Sequence, residues 1–121
     1  MGVIVIWTLV LAVIMAERDA GAIKRGESIN HVLWWCIRAI AVAVPCVVIG
    51  KAVLSIGMAG LFSAVFRWEL NALRGVRCTY ISRSNVYDSA FIMLAGSADA
   101  GGRLAYLVEV ITAVVVVGWC I

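Results

Sequence analysis

Residues 31–67 read HVLWWCIRAIAVAVPCVVIGKAVLSIGMAGLFSAVFR, and the charges missing from this stretch decide the fold. Between His31 and Arg67 only Arg38 and Lys51 are charged. Such a run is either one long helix kinked at Pro45 or a helical hairpin turning at Gly50-Lys51. One long helix would bring Lys51 near the centre of a bilayer, at about 2.5–3.5 kcal/mol on insertion scales. A hairpin gives arms near 31–49 and 52–68. It leaves Lys51 at an interface, where its long stem snorkels to water.

Charges on either side choose between these. Arg18, Lys24 and Arg25 precede the stretch; Arg67, Arg74, Arg77, Arg83 and Arg103 close or follow it. Two spans between the basic islands leave both in the cytoplasm, whereas one span would divide them. With a first apolar segment over about 1–16 and a last over about 102–121, the sequence predicts an all-α, polytopic transmembrane bundle. It has four spans, three being the alternative, in one domain with both termini outside. Polar islands 17–30 and 69–101 then face the cytoplasm.

Composition agrees. Hydrophobic residues make up 64% of the 121, and the mean hydropathy is +1.06. A soluble domain of this size cannot hide so much apolar surface, but lipid accepts it. The first segment reaches only ~24 Å at helical rise, which a ~30 Å hydrocarbon core tolerates by thinning. It has the length of a signal-peptide core, but no Lys or Arg precedes it and Ile14-Met15-Ala16 is a poor cleavage site, so it reads as a span. The net charge of +3, without a basic run interleaved with aromatics, excludes a nucleic-acid surface. Cys36, Cys46, Cys78 and Cys120 form no C-x-x-C pair, and three lie in apolar stretches as small hydrophobes.

In lipid, helices associate through small residues. Ala39, Ala41 and Ala43 mark the second span; Ser55, Ala59 and Ser63 recur every fourth residue on the third, beside Gly57, Gly60 and Ala64. These predict a tight hairpin. Island one, with Gly21 and Gly26, reads as a loop, with Ser28 or Asn30 capping the second span. Island two continues the third helix to Arg74, with Gly75 as its C′ residue. Residues 76–81 are extended in character. Asp88 reads as the cap of a short surface helix over 89–95, and Gly96, Gly101 and Gly102 as loosening the entry to the last span.

The four-span arrangement gathers Asp19, His31, Arg38, Glu69, Asn71, Arg74 and Asp88 near the cytoplasmic boundary. One His and three carboxylates are enough ligands for a divalent metal, yet no metal-binding or catalytic spacing motif occurs. The cluster reads as a structural polar network, with no cofactor and no metal. Arg38 either snorkels beside Trp34 and Trp35 in an interfacial belt or turns inward to an acid. Glu109, inside the last apolar segment, is an intramembrane carboxylate and hence a functional candidate. Arg38 is its expected partner, with Arg103, Tyr106 or water as the shallow alternative.

The order Asp19, Ile29-Asn30-His31, Trp35, Arg38, Phe66, Glu69-Leu70-Asn71, Arg74-Gly75, Tyr80-Ile81, Ser84 and Asp88 resembles small uncharacterised membrane proteins encoded by bacteriophages and prophages. The resemblance covers most of residues 17–88. It implies a phage or bacterial origin and a location in the host inner membrane, and it brings no activity. The expected role is structural or interactive rather than enzymatic, with the lipid bilayer and a second copy or another membrane protein as partners. Two alternatives stand beside it: a holin-like lysis protein, although the chain ends in Trp119-Cys120-Ile121 without a charged tail, and a metal-dependent membrane enzyme built on the polar cluster.

Overall fold

In the computed structural model, which describes residues 1–83 and 85–121, the chain is all helical. Ser84, one of the residues of the phage-type pattern, lies outside the described residues. Among the described residues five helices follow in order: α1 Gly2–Lys24, α2 His31–Val48, α3 Leu54–Leu73, α4 Val86–Ala95 and α5 Ala98–Cys120. Two of them, α2 and α5, are long and apolar enough to cross a membrane. The chain does break at Gly50-Lys51, so α2 and α3 are separate helices joined by a short turn.

The ends of α2 and α3 share one motif. Gly50 and Gly75 have φ of 73° and 68°, which L side chains adopt poorly. After α2, the Gly50 N–H donates to Val47 O and the Lys51 N–H to Cys46 O. After α3, Gly75 donates to Ala72 O and Val76 to Asn71 O. Both are Schellman caps, which satisfy carbonyls the last turn would otherwise leave open. Asn30 caps α2, its side chain accepting from the Leu33 N–H at 3.0 Å.

Three expectations need correction. Island one is mostly helix, because α1 continues through residues 17–24. Its charges hide a 3.6-residue period: Asp19, Ala20 and Ala22 are buried while Glu17, Arg18 and Lys24 are exposed. The cap of α4 is Asn85, which accepts from the Tyr87 N–H at 2.9 Å; Asp88 sits inside the helix with its carboxylate used elsewhere. Gly101 and Gly102 do not loosen α5. They are buried inside it, where a Cβ on Gly101 would meet the Ile92 backbone at 3.0 Å and one on Gly102 would overlap Thr79 O.

Helix α3 is the axis, packed against α5 and α1 and more lightly against α2, while α4 lies on α5. Its glycine face receives α5, not α2. A Cβ on Gly60 would stand 2.6 Å from the Glu109 carbonyl oxygen, and one on Gly57 2.9 Å from Val116 Cβ. The neighbouring stripe of Ser55, Ala59 and Ser63 faces a cleft, so the hairpin is not the tight pair that its small residues predict. Helix α1 presents Ile4, Thr8, Leu11 and Ala12 to the core, where they join Val42, Cys46, Leu54, Met58 and Phe62. The Thr8 hydroxyl donates to Ile4 O at 2.8 Å.

Pro45 lies inside α2 without ending it. Proline has no N–H, so the carbonyl four residues earlier loses its helical donor. That carbonyl is Ala41 O, and it accepts the Trp7 indole N–H at 3.0 Å. A side chain of α1 thus replaces the missing backbone bond of α2 and ties the two helices together.

Two outcomes follow from this packing. Gly60→Leu should lower thermal stability in detergent by at least ~1–3 kcal/mol, the range for overpacking, and by more than Leu61→Ala, which trims a half-buried side chain. Equal melting of the two variants would contradict the close α3–α5 approach. Trp7→Phe should destabilise by ~1 kcal/mol, the net worth of a hydrogen bond. In a Pro45→Ala background, where the substituted residue supplies its own backbone N–H, the same change should do measurably less harm.

Candidate functional site

The polar residues that the helices bring together form two buried clusters. In the first, Arg38 of α2 donates through Nη2 to Asp19 Oδ2 of α1. Arg18 approaches the other oxygen of Asp19 at 3.1 Å, and its guanidinium lies 3.4 Å from the Trp34 ring centroid. The Arg38 guanidinium in turn stands 4.3 Å from the Phe66 ring of α3, a cation–π contact that strengthens when desolvated. Asp19 and Arg38 are both buried. Of the two readings of Arg38, the inward one describes the structure.

Arg67 of α3 centres the second cluster. Its Nη1 donates to Asp88 Oδ1 of α4 at 3.1 Å and its Nη2 to Glu109 Oε1 of α5 at 2.9 Å. Tyr87 donates its hydroxyl to the same Glu109 oxygen at 3.0 Å, and the Ser82 N–H donates to Asp88 Oδ2 at 3.1 Å. Burial, and next the neighbouring Glu109 carboxylate, push the Tyr87 phenol above its ordinary value. Close by, Asn71 Nδ2 donates to Cys78 O and Tyr80 O, both at 2.9 Å, fastening the irregular segment after α3. Trp35 of α2 meets Tyr87 edge-on, with centroids 5.4 Å apart.

Between α2 and α3, beside these clusters, runs a cleft of about 710 Å³. It falls in the size range of ligand pockets, roughly 300–1,000 Å³. Its α3 wall is a single helical face, from Ser55 through Ala59, Ser63 and Arg67 to Asn71 and Arg74. One end is apolar, lined by Ala39, Val42, Ala43 and Ile56; the other carries Asp19, Glu27, His31, Arg38, Arg67, Arg74 and Asp88.

The chain matches no protein-family model, no curated protein and no solved structure. Its site must be read from its own residues. Of the expected cluster, Asp19, Arg38, Asn71 and Asp88 are buried, while His31 and Arg74 are exposed at the polar end of the cleft. Glu69 is half-buried and is not part of the cleft wall. The expected Arg38–Glu109 pair is replaced by two pairs, Arg38–Asp19 and Arg67–Glu109. Glu109 is paired in depth rather than at a surface, with Tyr87 instead of Tyr106 or Arg103 as its second neighbour.

Arg67 and Tyr87 are the functional residues that the sequence reading passes over. Arg67 is counted there as a topology charge. A signal was present: Ala59, Ser63, Arg67 and Asn71 recur every fourth residue, which puts a charge on the small-residue face of α3. Tyr87 carries no such periodic mark.

Among the described residues no three His, Cys, Asp or Glu side chains gather as metal ligands. Asp19, Asp88 and Glu109 are each tied to arginine. Among the described residues three buried atoms have no hydrogen-bond partner: Arg38 Nε, Arg67 Nε and Glu109 Oε2.

Double-mutant cycles test this pairing. Arg67→Met and Glu109→Gln should each destabilise the protein by ~3–5 kcal/mol, because each strands a buried partner. The double variant should be less harmed than the sum, with a coupling of ~0.5–3 kcal/mol. Arg38→Gln with Glu109→Gln should instead be additive. Thermal unfolding in detergent reads both cycles, and coupling confined to the second would reject the geometry.

Proposed function

We propose that the chain is a small integral membrane protein of phage or bacterial origin, with four spans formed by α1, α2, α3 and α5. Both termini are outside, and the role is one of binding or interaction without catalysis. One observation carries the reading: polar groups lie inside the bundle while aliphatic side chains line its outer surface. Val3, Ile6, Val10 and Ile14 of α1 are exposed, as are Ile40, Val44 and Val47 of α2 and Ile111, Val114 and Val115 of α5. In water these faces would drive aggregation; in lipid they are the solvent contact.

The ion pairs support a common depth for the four helices. Asp19, Arg38, Arg67 and Glu109 belong to linked clusters, so the polar parts of α1, α2, α3 and α5 share one level. At the far end, Lys51 donates to Cys120 O at 2.7 Å, joining the α2–α3 turn to the end of α5. The uncharged run of α3, residues 54–66, reaches only ~20 Å, short of a ~30 Å core. Part of the ion-pair network therefore lies within hydrocarbon depth, where pairing makes buried charge tolerable. Trp34, Trp35 and Trp68 stand at the polar level and exposed Trp119 at the opposite one, as aromatic belts do.

Reporter fusions decide the topology. Fusions after Gly26 and Gly75 should report inside, and those after Gly50 and Ile121 outside. An outside signal at Gly26 or Gly75, or an inside signal at Gly50, overturns the four-span reading.

A further inference from the structure

We propose that the cleft between α2 and α3 is a binding site for one anionic phospholipid taken from the bilayer, its phosphate at the Arg38–Arg74 end and an acyl chain along Ala59 and Ser63. The inference rests on the four-span reading. Three observations carry it. The cleft is divided along its length, apolar at one end and charged at the other, which matches an amphiphile and not a wholly polar solute. Its edge is open sideways, because Trp35, Ala39, Ile56 and Ala59 on the wall are exposed along the surface that faces lipid. A ligand dissolved in the bilayer can thus enter without crossing water.

The third observation is the charge at the polar end. Arg38 is about nine-tenths buried and lines the cleft. Its Nη2 is used on Asp19 and its Nε is enclosed, without a partner among the described residues, so Arg38 acts on the cleft through its charge. Asp19 already receives Arg18 as well, so that cluster retains one positive charge. The Arg67 cluster holds two carboxylates against one guanidinium and offsets it. Arg25 and Glu27 neutralise each other. Among the described residues Arg74 has no carboxylate within ion-pair distance; its guanidinium stands 5.5 Å from the Tyr80 ring. Exposed at the mouth, Arg74 brings a positive charge that no carboxylate among the described residues pairs. Basic pockets between membrane helices on the cytoplasmic side recognise anionic headgroups through such charges, and a guanidinium suits a phosphate oxygen pair.

Native mass spectrometry of the detergent-purified protein tests this, with phosphatidylglycerol, phosphatidylcholine and glycerol phosphate as separate probes. One phosphatidylglycerol should bind at least tenfold more tightly than phosphatidylcholine, and glycerol phosphate should not bind. Arg74→Gln, which removes a charge outside the buried pairs, should erase most of that preference. Ala59→Leu should weaken binding of either lipid by filling the wall. Arg103→Gln, a change at an exposed arginine that is not part of the cleft wall, should bind as wild type does. Equal binding of the two lipids, or an unchanged preference in Arg74→Gln, overturns the proposal. Binding of glycerol phosphate as tight as the lipid also overturns it, in favour of a soluble anion. Carbonate extraction of membranes separates the two levels: a protein that stays in the pellet but binds no lipid loses only this site, whereas one released into the supernatant loses the membrane reading itself.

Discussion

A guanidinium inside a helical bundle must find its partners there, and the rest of this molecule is arranged around that requirement at Arg67. Three helices meet at this one side chain: α3 supplies it, α4 answers with Asp88 and α5 with Glu109. Short α4, unable to hold a place alone, is fixed by that bond and by the Ser82 N–H on the same carboxylate. Replacing such a cluster by apolar residues of equal volume can leave stability unchanged, because desolvation offsets much of the attraction. Its contribution is to register. Sliding α5 by one turn, ~5.4 Å, would break the bond between Glu109 and Arg67.

The same face of α3 makes a close backbone approach to α5. Gly60 lies two turns before Arg67 and meets the Glu109 carbonyl, while Arg67 meets the Glu109 side chain. One residue of α5 is thus held from two sides, by contact at its backbone and by charge at its carboxylate. Glycine packing brings the helices close, and the ion pair selects the register in which they close. Neither alone would do both, since small residues are common along α3 and tolerate several alignments.

Much of this was legible in the sequence, and what was not has identifiable reasons. The hairpin break at Gly50-Lys51, the caps at Asn30 and Gly75 and the short helix before Gly96 rest on local chemistry: a positive φ, a side chain that accepts from the first turn, an apolar run between turn residues. Local chemistry is visible in one dimension. The extension of α1 through Lys24 was hidden because charged residues suggest a loop unless their period is examined. Partner choice lay further out of reach. Both Arg38 and Arg67 sit near the same boundary, and only the rotation of α3 about its axis decides which of them meets Glu109. That rotation is set by Gly57 and Gly60 against α5. The small residues of α3 were recognised without knowing that they belong to two adjacent faces, one closing on α5 and one left open to the cleft.

The open face follows from the closed one. Helix α3 turns its glycines to α5 and packs more heavily on α5 and α1 than on α2, so α2 is left with a lighter contact. Helix α2 is held by Arg38 on Asp19 and Phe66, by the Trp7 indole on Ala41 O, by Val42 and Cys46 in the core, and by the turn at Gly50 with Lys51 reaching Cys120. Trp35 and Ala39, on the cleft wall, are left exposed. On the membrane reading proposed above, no hydrophobic force draws the two faces together, and the gap between α2 and α3 carries no penalty of exposed apolar surface as long as hydrocarbon fills it. The cleft is thus a consequence of how the bundle is held, and its charged end is the part of the holding network that reaches the opening.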